Sequence, residues 1–133
     1  MLRSVALKNH MLAHPVTVNV DATMGEAIRL IIQNKISGMC VVDGEGRLVG
    51  ILSELDCLRA TLSASYNEGG IGMVKDYMAS DNLIVANPRE DITDVAQDML
   101  AQKKRRRPVV EDGKLVGQIT CRQLLKAALD FSS

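Results

Sequence analysis

The chain repeats itself, and a repeat limits the possible folds more than any local pattern, because each copy must be one structural unit that packs on its neighbour. Leu7-Lys8-Asn9-His10-Met11 aligns with Val74-Lys75-Asp76-Tyr77-Met78 at an offset of 67 residues, which also lays Val16-Thr17-Val18 over Leu83-Ile84-Val85. Met24, Ala27, Ile28, Ile31 and Ile32 then meet Ile92, Val95, Ala96, Met99 and Leu100 at an offset of 68, one residue having been added before the second helix. Val41-Val42 meets Val109-Val110 at the same offset. Leu48-Val49-Gly50 meets Leu115-Val116-Gly117 at 67 again, the difference being absorbed in a turn, where insertions are tolerated.

Each copy reads as the same string of elements. A short β run (16–20; 83–86) precedes apolar positions at i, i+3, i+4, i+7 and i+8, the helical period. Thr23-x-x-Glu26 and Asp91-x-x-Asp94 mark the helix starts, a capping box and a weaker relative of one. Two β-rich runs joined by a turn come next, 39–42 with 47–52 and 108–110 with 114–119. Asp112-Gly113 is the dipeptide of a tight type I′ hairpin, and Asp43-Gly44-Glu45-Gly46 is its longer counterpart. A second helix closes each copy, over 54–62 and 121–129, so each is β-α-β-β-α. Residues 63–72, rich in Gly and Ser and without an apolar period, read as a flexible linker or surface loop. A unit of about 60 residues buries too little surface to be comfortably stable alone. The two copies are therefore expected to pack together about a pseudo-twofold axis with a cleft along it.

Composition narrows the function classes. The 16 Lys+Arg balance 16 Asp+Glu, unlike the net basic face of a dedicated nucleic-acid binder. Apolar runs are a few residues long, far below the roughly 20 needed to cross a bilayer. Residues 1–11 lack the continuous apolar stretch and cleavage site of a secretory signal. Cys40, Cys57 and Cys121 stand at no metal-like spacing and fit a reducing compartment, so a cytoplasmic location is expected. Aromatic residues are 2% of the chain, so an adenine-sized ligand must lie on aliphatic walls. No Gly-rich phosphate loop, metal cluster or Ser-His-Asp order is present, and His10 and His14 have no nucleophile at a suitable spacing. An enzyme is not expected.

Taken in order, several segments resemble a known family: Gly50-Ile51-Leu52-Ser53-Glu54-Leu55-Asp56, Val74-Lys75-Asp76-Tyr77-Met78, Arg107-Pro108-Val109-Val110 and Gly113-Lys114-Leu115-Val116-Gly117. Both copies are similar to the cystathionine-β-synthase (CBS) domain, and together to a stand-alone tandem pair, or Bateman module. The resemblance implies an α/β fold of the α+β type, with two β-α-β-β-α CBS units packed pseudo-symmetrically. CBS domain 1 would span 7–62, a linker loop 63–73, and CBS domain 2 74–129. It also implies a homodimer of pairs, no catalysis, and an adenosine-containing ligand such as AMP, ADP, ATP or S-adenosylmethionine in the clefts between units.

Two motifs concentrate the chemistry. Ser53-x-x-Asp56 stands at a strand-to-helix junction. As a capping-box variant, Ser53 bonds the amide of the third helical position while Asp56 favours the positive helix end. As the family's ligand site, the carboxylate accepts two bonds from ribose hydroxyls while the hydroxyl and helix N-terminus receive phosphate. The second copy has Thr120-x-x-Gln123, whose neutral amide is a poorer acceptor for a diol, so the Asp56 cleft is expected to be the better one. The family's glycine-hydrophobic-three residues-proline pattern is partly met, with Lys35 for the glycine and Cys40 for the proline in the first copy. By that resemblance Thr17, Ile36, Ser37, Gly38 and Met39 line the adenine side, Ile36 and Met39 being readable also, and more readily, as plain core. Arg105, Arg106 and Arg107 lead into Pro108 and, with Arg122, are candidates to clamp phosphate. Alternation along a strand turns only one or two of the three inward.

The expected function is a regulatory small-molecule-sensing module that binds its ligand in the first-half cleft and signals to an effector protein by conformational change. No nucleic acid and no membrane are expected as partners. The alternative is a dimerisation and protein-interaction scaffold with vestigial clefts. A third reading is thiol-linked regulation through Cys40.

Overall fold

The computed structural model describes residues 5–66 and 70–132. In chain order the elements are a 3-10 turn (Leu7–Asn9), β1 (Leu12–Ala13), β2 (Thr17–Asn19), α1 (Met24–Asn34), β3 (Gly38–Val42), β4 (Leu48–Ser53), α2 (Glu54–Tyr66), α3 (Val74–Tyr77), α4 (Ile92–Gln102), β5 (Arg106–Glu111), β6 (Lys114–Thr120) and α5 (Cys121–Ser132). They form two compact units, each built around one repeat: a first unit of Val16–Leu83, and a second that joins Met1–Pro15 to Ile84–Ser133.

The sheet of the first unit runs β2-β3-β4, parallel then antiparallel. That of the second runs β1-β6-β5, all antiparallel. The expected strand over 83–86 is reduced to one residue, Ala86, which bridges Val109 in parallel. Its N–H donates to the Pro108 carbonyl at 2.9 Å, and its carbonyl accepts from Val110 at 2.8 Å. The opposite edges trade places in the same way. Leu12 pairs with Gln118 in strand β1, whereas the equivalent Ala79 only bridges Ile51. Both closing helices outrun expectation. α2 reaches Tyr66, so the first residues of the expected linker are helical; residues 67–69 of that linker lie outside the described residues.

The repeat and the spatial unit are different divisions of the chain. Leu7 is fully buried in the second unit among Ile92, Val95, Met99, Val109 and Ile119. Its equivalent Val74 is fully buried in the first, among Val18, Met24, Met39, Val41 and Leu52. The segment leading each repeat thus closes the core of the other repeat's unit, and backbone bonds secure it. Leu7 N–H donates to the Glu90 carbonyl at 2.8 Å and Ile92 N–H to Val5 at 3.0 Å; Met24 N–H donates to Gly72 at 2.9 Å and Val74 N–H to Ala22 at 3.0 Å. Asp91 makes no side-chain cap bond on α4, although the first helical amide of α4 is taken by the Val5 carbonyl just as that of α1 is by Gly72. Thr23 does cap α1, its Oγ1 accepting from Glu26 N–H at 3.2 Å.

Gly50 and Gly117 are required by these docked segments. A Cβ at Gly50 would stand 2.5 Å from Met78 Sδ, and one at Gly117 would stand 2.8 Å from both Met11 Sδ and the Leu12 carbonyl oxygen. α1 and α4 end alike, on left-handed Lys35 and Lys103 at φ 53° and 56°. Ile36 and Lys104 then donate back to Ile31 and Met99, the Schellman arrangement that usually employs glycine. At the hairpins, Asp112 and Gly113 take φ 52° and 80°, as a type I′ turn requires. Asp43 Oδ1 accepts from Arg47 and Glu45 N–H, and these bonds hold its carboxyl below the usual range. Among the described residues no helix is long and apolar enough to cross a membrane.

Candidate functional site

In the first unit β4 passes into α2 without a loop, which places Ser53 and Asp56 on the first helical turn. The two residues cap reciprocally: Ser53 N–H donates to Asp56 Oδ2 at 2.9 Å, and Asp56 N–H donates to Ser53 Oγ at 3.1 Å. Gly38 lies opposite Ser53 in the β3/β4 ladder, and Glu54 N–H donates to the Ser37 carbonyl at 3.0 Å, so the start of β3 sits against the start of α2. Thr17, on β2, pairs with Cys40 on the other side of β3. Three adjacent strands thereby bring Thr17, Ser37, Gly38, Ser53 and Asp56 into one locale. Ile36 is half-buried against the core, Ser37 is exposed, and Met39 is 1% exposed within the core itself. The Asp56 side chain is 14% exposed and carries an ion pair from Arg59 to its Oδ1. Arg59 escaped the sequence reading although its spacing held the signal, since i and i+3 share a helix face.

The second unit repeats the junction with other atoms. Thr120 N–H donates to Gln123 Oε1 at 2.9 Å, and Gln123 N–H donates to Thr120 Oγ1 at 3.2 Å. Arg106 pairs in register with Thr120 and Pro108 with Gln118, and Cys121 N–H donates to the Arg105 carbonyl at 3.0 Å. Arg105 and Arg122 are exposed and Arg106 half-buried. Arg107 is placed differently from the phosphate clamp expected of it. It is 4% exposed, and its Nη2 lies 2.7 Å from Asp98 Oδ2 on α4. The pleat turns this side chain into its own unit, and burying the cation demands an anion beside it. Asp98 thus holds a charge that the sequence reading assigns to a ligand.

The cysteines divide by exposure, and none of the three forms a disulfide. Cys40 and Cys57 are buried, where a thiol serves as a small apolar filler. Burial, then the Asp56 and Glu54 carboxylates, push the Cys57 thiol up, keeping it neutral. Burial of Cys40 removes the access that thiol-linked regulation needs. Cys121, at the start of α5, is exposed and fills nothing. Among the described residues no group of three or more His, Cys, Asp or Glu is placed to hold a metal ion.

Comparison with known proteins bears on this geometry. The CBS domain family profile matches residues 5–63 and again 74–130. An uncharacterized protein of Methanocaldococcus jannaschii is 36% identical over 112 residues, 84% of this chain and 38% of that protein. Inosine-5′-monophosphate dehydrogenase of Aquifex aeolicus is 36% identical over 118 residues, 87% of this chain and 23% of the enzyme. The chain therefore spans well under half the length of these two relatives. Among solved structures, CBSX2 in complex with AMP superimposes with a TM-score of 0.86 at 27% identity, over 97% of this chain and 99% of that one. The CBS domain pair of a protein designated MJ0100, in complex with 5′-methylthioadenosine and S-adenosyl-L-methionine, superimposes at 0.75 with 26% identity over 91% of this chain and 97% of the other.

Proposed function

The chain belongs to the CBS domain family as a tandem pair of such domains, and from that premise we propose that it is a regulatory module that senses an adenosine-containing ligand at the first unit. The observation that carries this reading is the Ser53–Asp56 junction, a charged carboxylate fixed on a first helical turn beside the start of β3. Relatives of the same fold that hold AMP, or methylthioadenosine with S-adenosylmethionine, support it. Asp56 accepts the ribose hydroxyls, while Ser53 and the N-terminal end of α2 face the phosphate region. Thr17, Ile36, Ser37 and Gly38 border the adenine, a setting without rings in a chain that has few of them. In the second unit Thr120, Arg106, Arg105, Pro108 and Arg122 make the corresponding locus. Gln123 leaves it without a carboxylate, so it is the weaker site. Ligand binding shifts the population of module conformations and thereby alters a surface read by an effector protein in a reducing, cytoplasmic setting.

Thermal-shift measurements against AMP, ADP, ATP and S-adenosylmethionine test the reading. A ligand that binds only the folded state stabilises it by about 2.7 kcal/mol at a hundredfold excess over its Kd. Asp56→Asn keeps an oxygen for the Ser53 amide, so the cap survives, and is expected to abolish most of the shift without lowering the melting temperature of the free protein. No shift with any ligand in the folded wild type would turn the reading to the scaffold alternative.

A homodimer belongs to the proposed function, supported by apolar side chains at equivalent places in both repeats. Ile32, Leu58 and Leu62 of the first unit are exposed, as are their counterparts Leu100, Leu125 and Leu129 of the second. Single exposed leucines are ordinary, but the same helical positions left bare twice in one chain suit a self-complementary contact with a second copy. Leu58→Glu with Leu125→Glu is expected to give a monomer by light scattering.

A further inference from the structure

Both oxygens of the Asp56 carboxylate already have partners, and the partners differ in kind. Oδ2 accepts from Ser53 N–H at 2.9 Å, a bond that belongs to the helix cap and persists as long as the first turn does. Oδ1 is held by the Arg59 guanidinium, one turn further along α2. The Asp56 side chain is 14% exposed and that of Arg59 62%. Arg59 therefore sits on the end of a solvated arm, and an ion pair of that kind opens at small cost.

We infer that Arg59 selects ligands by charge at this site, favouring an adenosine that carries a 5′-phosphate over one that is neutral or cationic. The inference rests on Asp56 being the ribose acceptor proposed above. A ribose diol that approaches the carboxylate enters on the Oδ1 side, because Oδ2 is tied to backbone, and so displaces the guanidinium. The fate of the displaced cation depends on the ligand. A phosphate offers it a new anion, and the guanidinium fork matches phosphate geometry bidentately. Because Arg59 reaches back toward the first turn of α2, it is released at the positive end of the helix, where a phosphate also meets free N–H groups. A neutral nucleoside breaks the Asp56–Arg59 pair and returns nothing for it. A sulfonium ligand brings a like charge to the same spot. One residue thus rewards the right ligand and penalises the wrong ones. The counterparts in the second unit are Gln123 and Lys126, where a neutral amide replaces the carboxylate, so no such exchange of ion pairs exists there.

Titration calorimetry of the wild type, Arg59→Gln and Arg59→Lys with AMP, adenosine and S-adenosylmethionine decides the matter. Arg59 is exposed, so the variants are expected to melt with the wild type, which is checked first. Arg59→Gln is expected to weaken AMP about tenfold, the scale of a charge-assisted bond at a partly solvated site. It should leave adenosine and S-adenosylmethionine unchanged or tighter, and Arg59→Lys should restore part of the AMP affinity. A merely structural arginine would shift all three ligands together, and that result overturns the inference. So does a wild type that takes adenosine or S-adenosylmethionine as tightly as AMP. If the wild type binds none of the three, the Asp56 site itself fails. If AMP binds and Asp56→Asn weakens it while Arg59→Gln does not, only the role of Arg59 is lost.

Discussion

Ser53–Asp56 and Thr120–Gln123 close their helix caps with the same pair of reciprocal bonds, at 2.9 and 3.1 Å in one unit and 2.9 and 3.2 Å in the other. Backbone geometry at the two junctions is therefore shared while the chemistry is not. A glutamine oxygen caps a strand-to-helix junction as well as a carboxylate does, so folding alone does not demand the negative charge at position 56. That charge is surplus to architecture. In this protein it is matched by Arg59 in the free state; in the proposed bound state the diol meets the carboxylate and the phosphate takes the arginine.

The comparison breaks most visibly at the glycines beneath each junction. Gly50→Ala and Gly117→Ala both press a methyl group into a docked segment, and overpacking of this kind costs about 1–3 kcal/mol. The loss at Gly117 is expected to be the larger. There the obstruction is the Leu12 carbonyl oxygen at 2.8 Å, whereas at Gly50 it is chiefly the Met78 thioether, which can swing aside. Urea denaturation of the two variants checks the order, and equal losses would mean that the segment of β1 yields as readily as a side chain. Next in size is the chemical difference itself. Gln123→Asp keeps the cap and adds the charge, so it is expected to raise nucleotide affinity at the second unit about tenfold, as a charge-assisted bond warrants. Calorimetric stoichiometry would then rise from one tight site toward two. The smallest effect concerns a feature the repeats share. Lys35→Gly and Lys103→Gly relieve a left-handed backbone at φ 53° and 56°. Relief is partly offset by chain entropy, so each is expected to stabilise by only about 0.5–1 kcal/mol in the same denaturation assay. Unequal gains would show that one helix end is held by more than its cap.

Legibility in the sequence tracks the range of the interaction. The Asp112-Gly113 turn, the helical periods of α1 and α4 and both Ser/Thr-x-x-Asp/Gln caps depend on residues at most a few positions apart, and each is readable in one dimension. Longer-range contacts are not: Asp91 makes no side-chain cap bond on α4, and the first α4 amide belongs to the Val5 carbonyl more than eighty residues away in the chain. The strand expected over 83–86 fails similarly, its apolar pattern being satisfied by a single bridge from Ala86. Arg107 looks like part of a solvated basic run because nothing local announces Asp98 as its partner. Arg59 is the opposite case. Its i, i+3 relation to Asp56 is plain in the sequence, but only coordinates give it a consequence, by showing the carboxylate half-enclosed and already engaged.

The sequence by itself determined that this protein is two copies of one mixed α and β unit, where each copy turns, where its helices begin, and that only one copy carries a carboxylate at the second helix. Those properties follow from periodicity, turn chemistry and residue identity, all of which act over one or two turns of chain. Tertiary structure alone decided which segments complete which core: Leu7 closes the second unit and Val74 the first. It also decided which arginine is buried and which is left exposed beside the Asp56 carboxylate. Burial depends on what packs from elsewhere in the chain, and a fully buried leucine or a 4% exposed arginine looks, in one dimension, like any other.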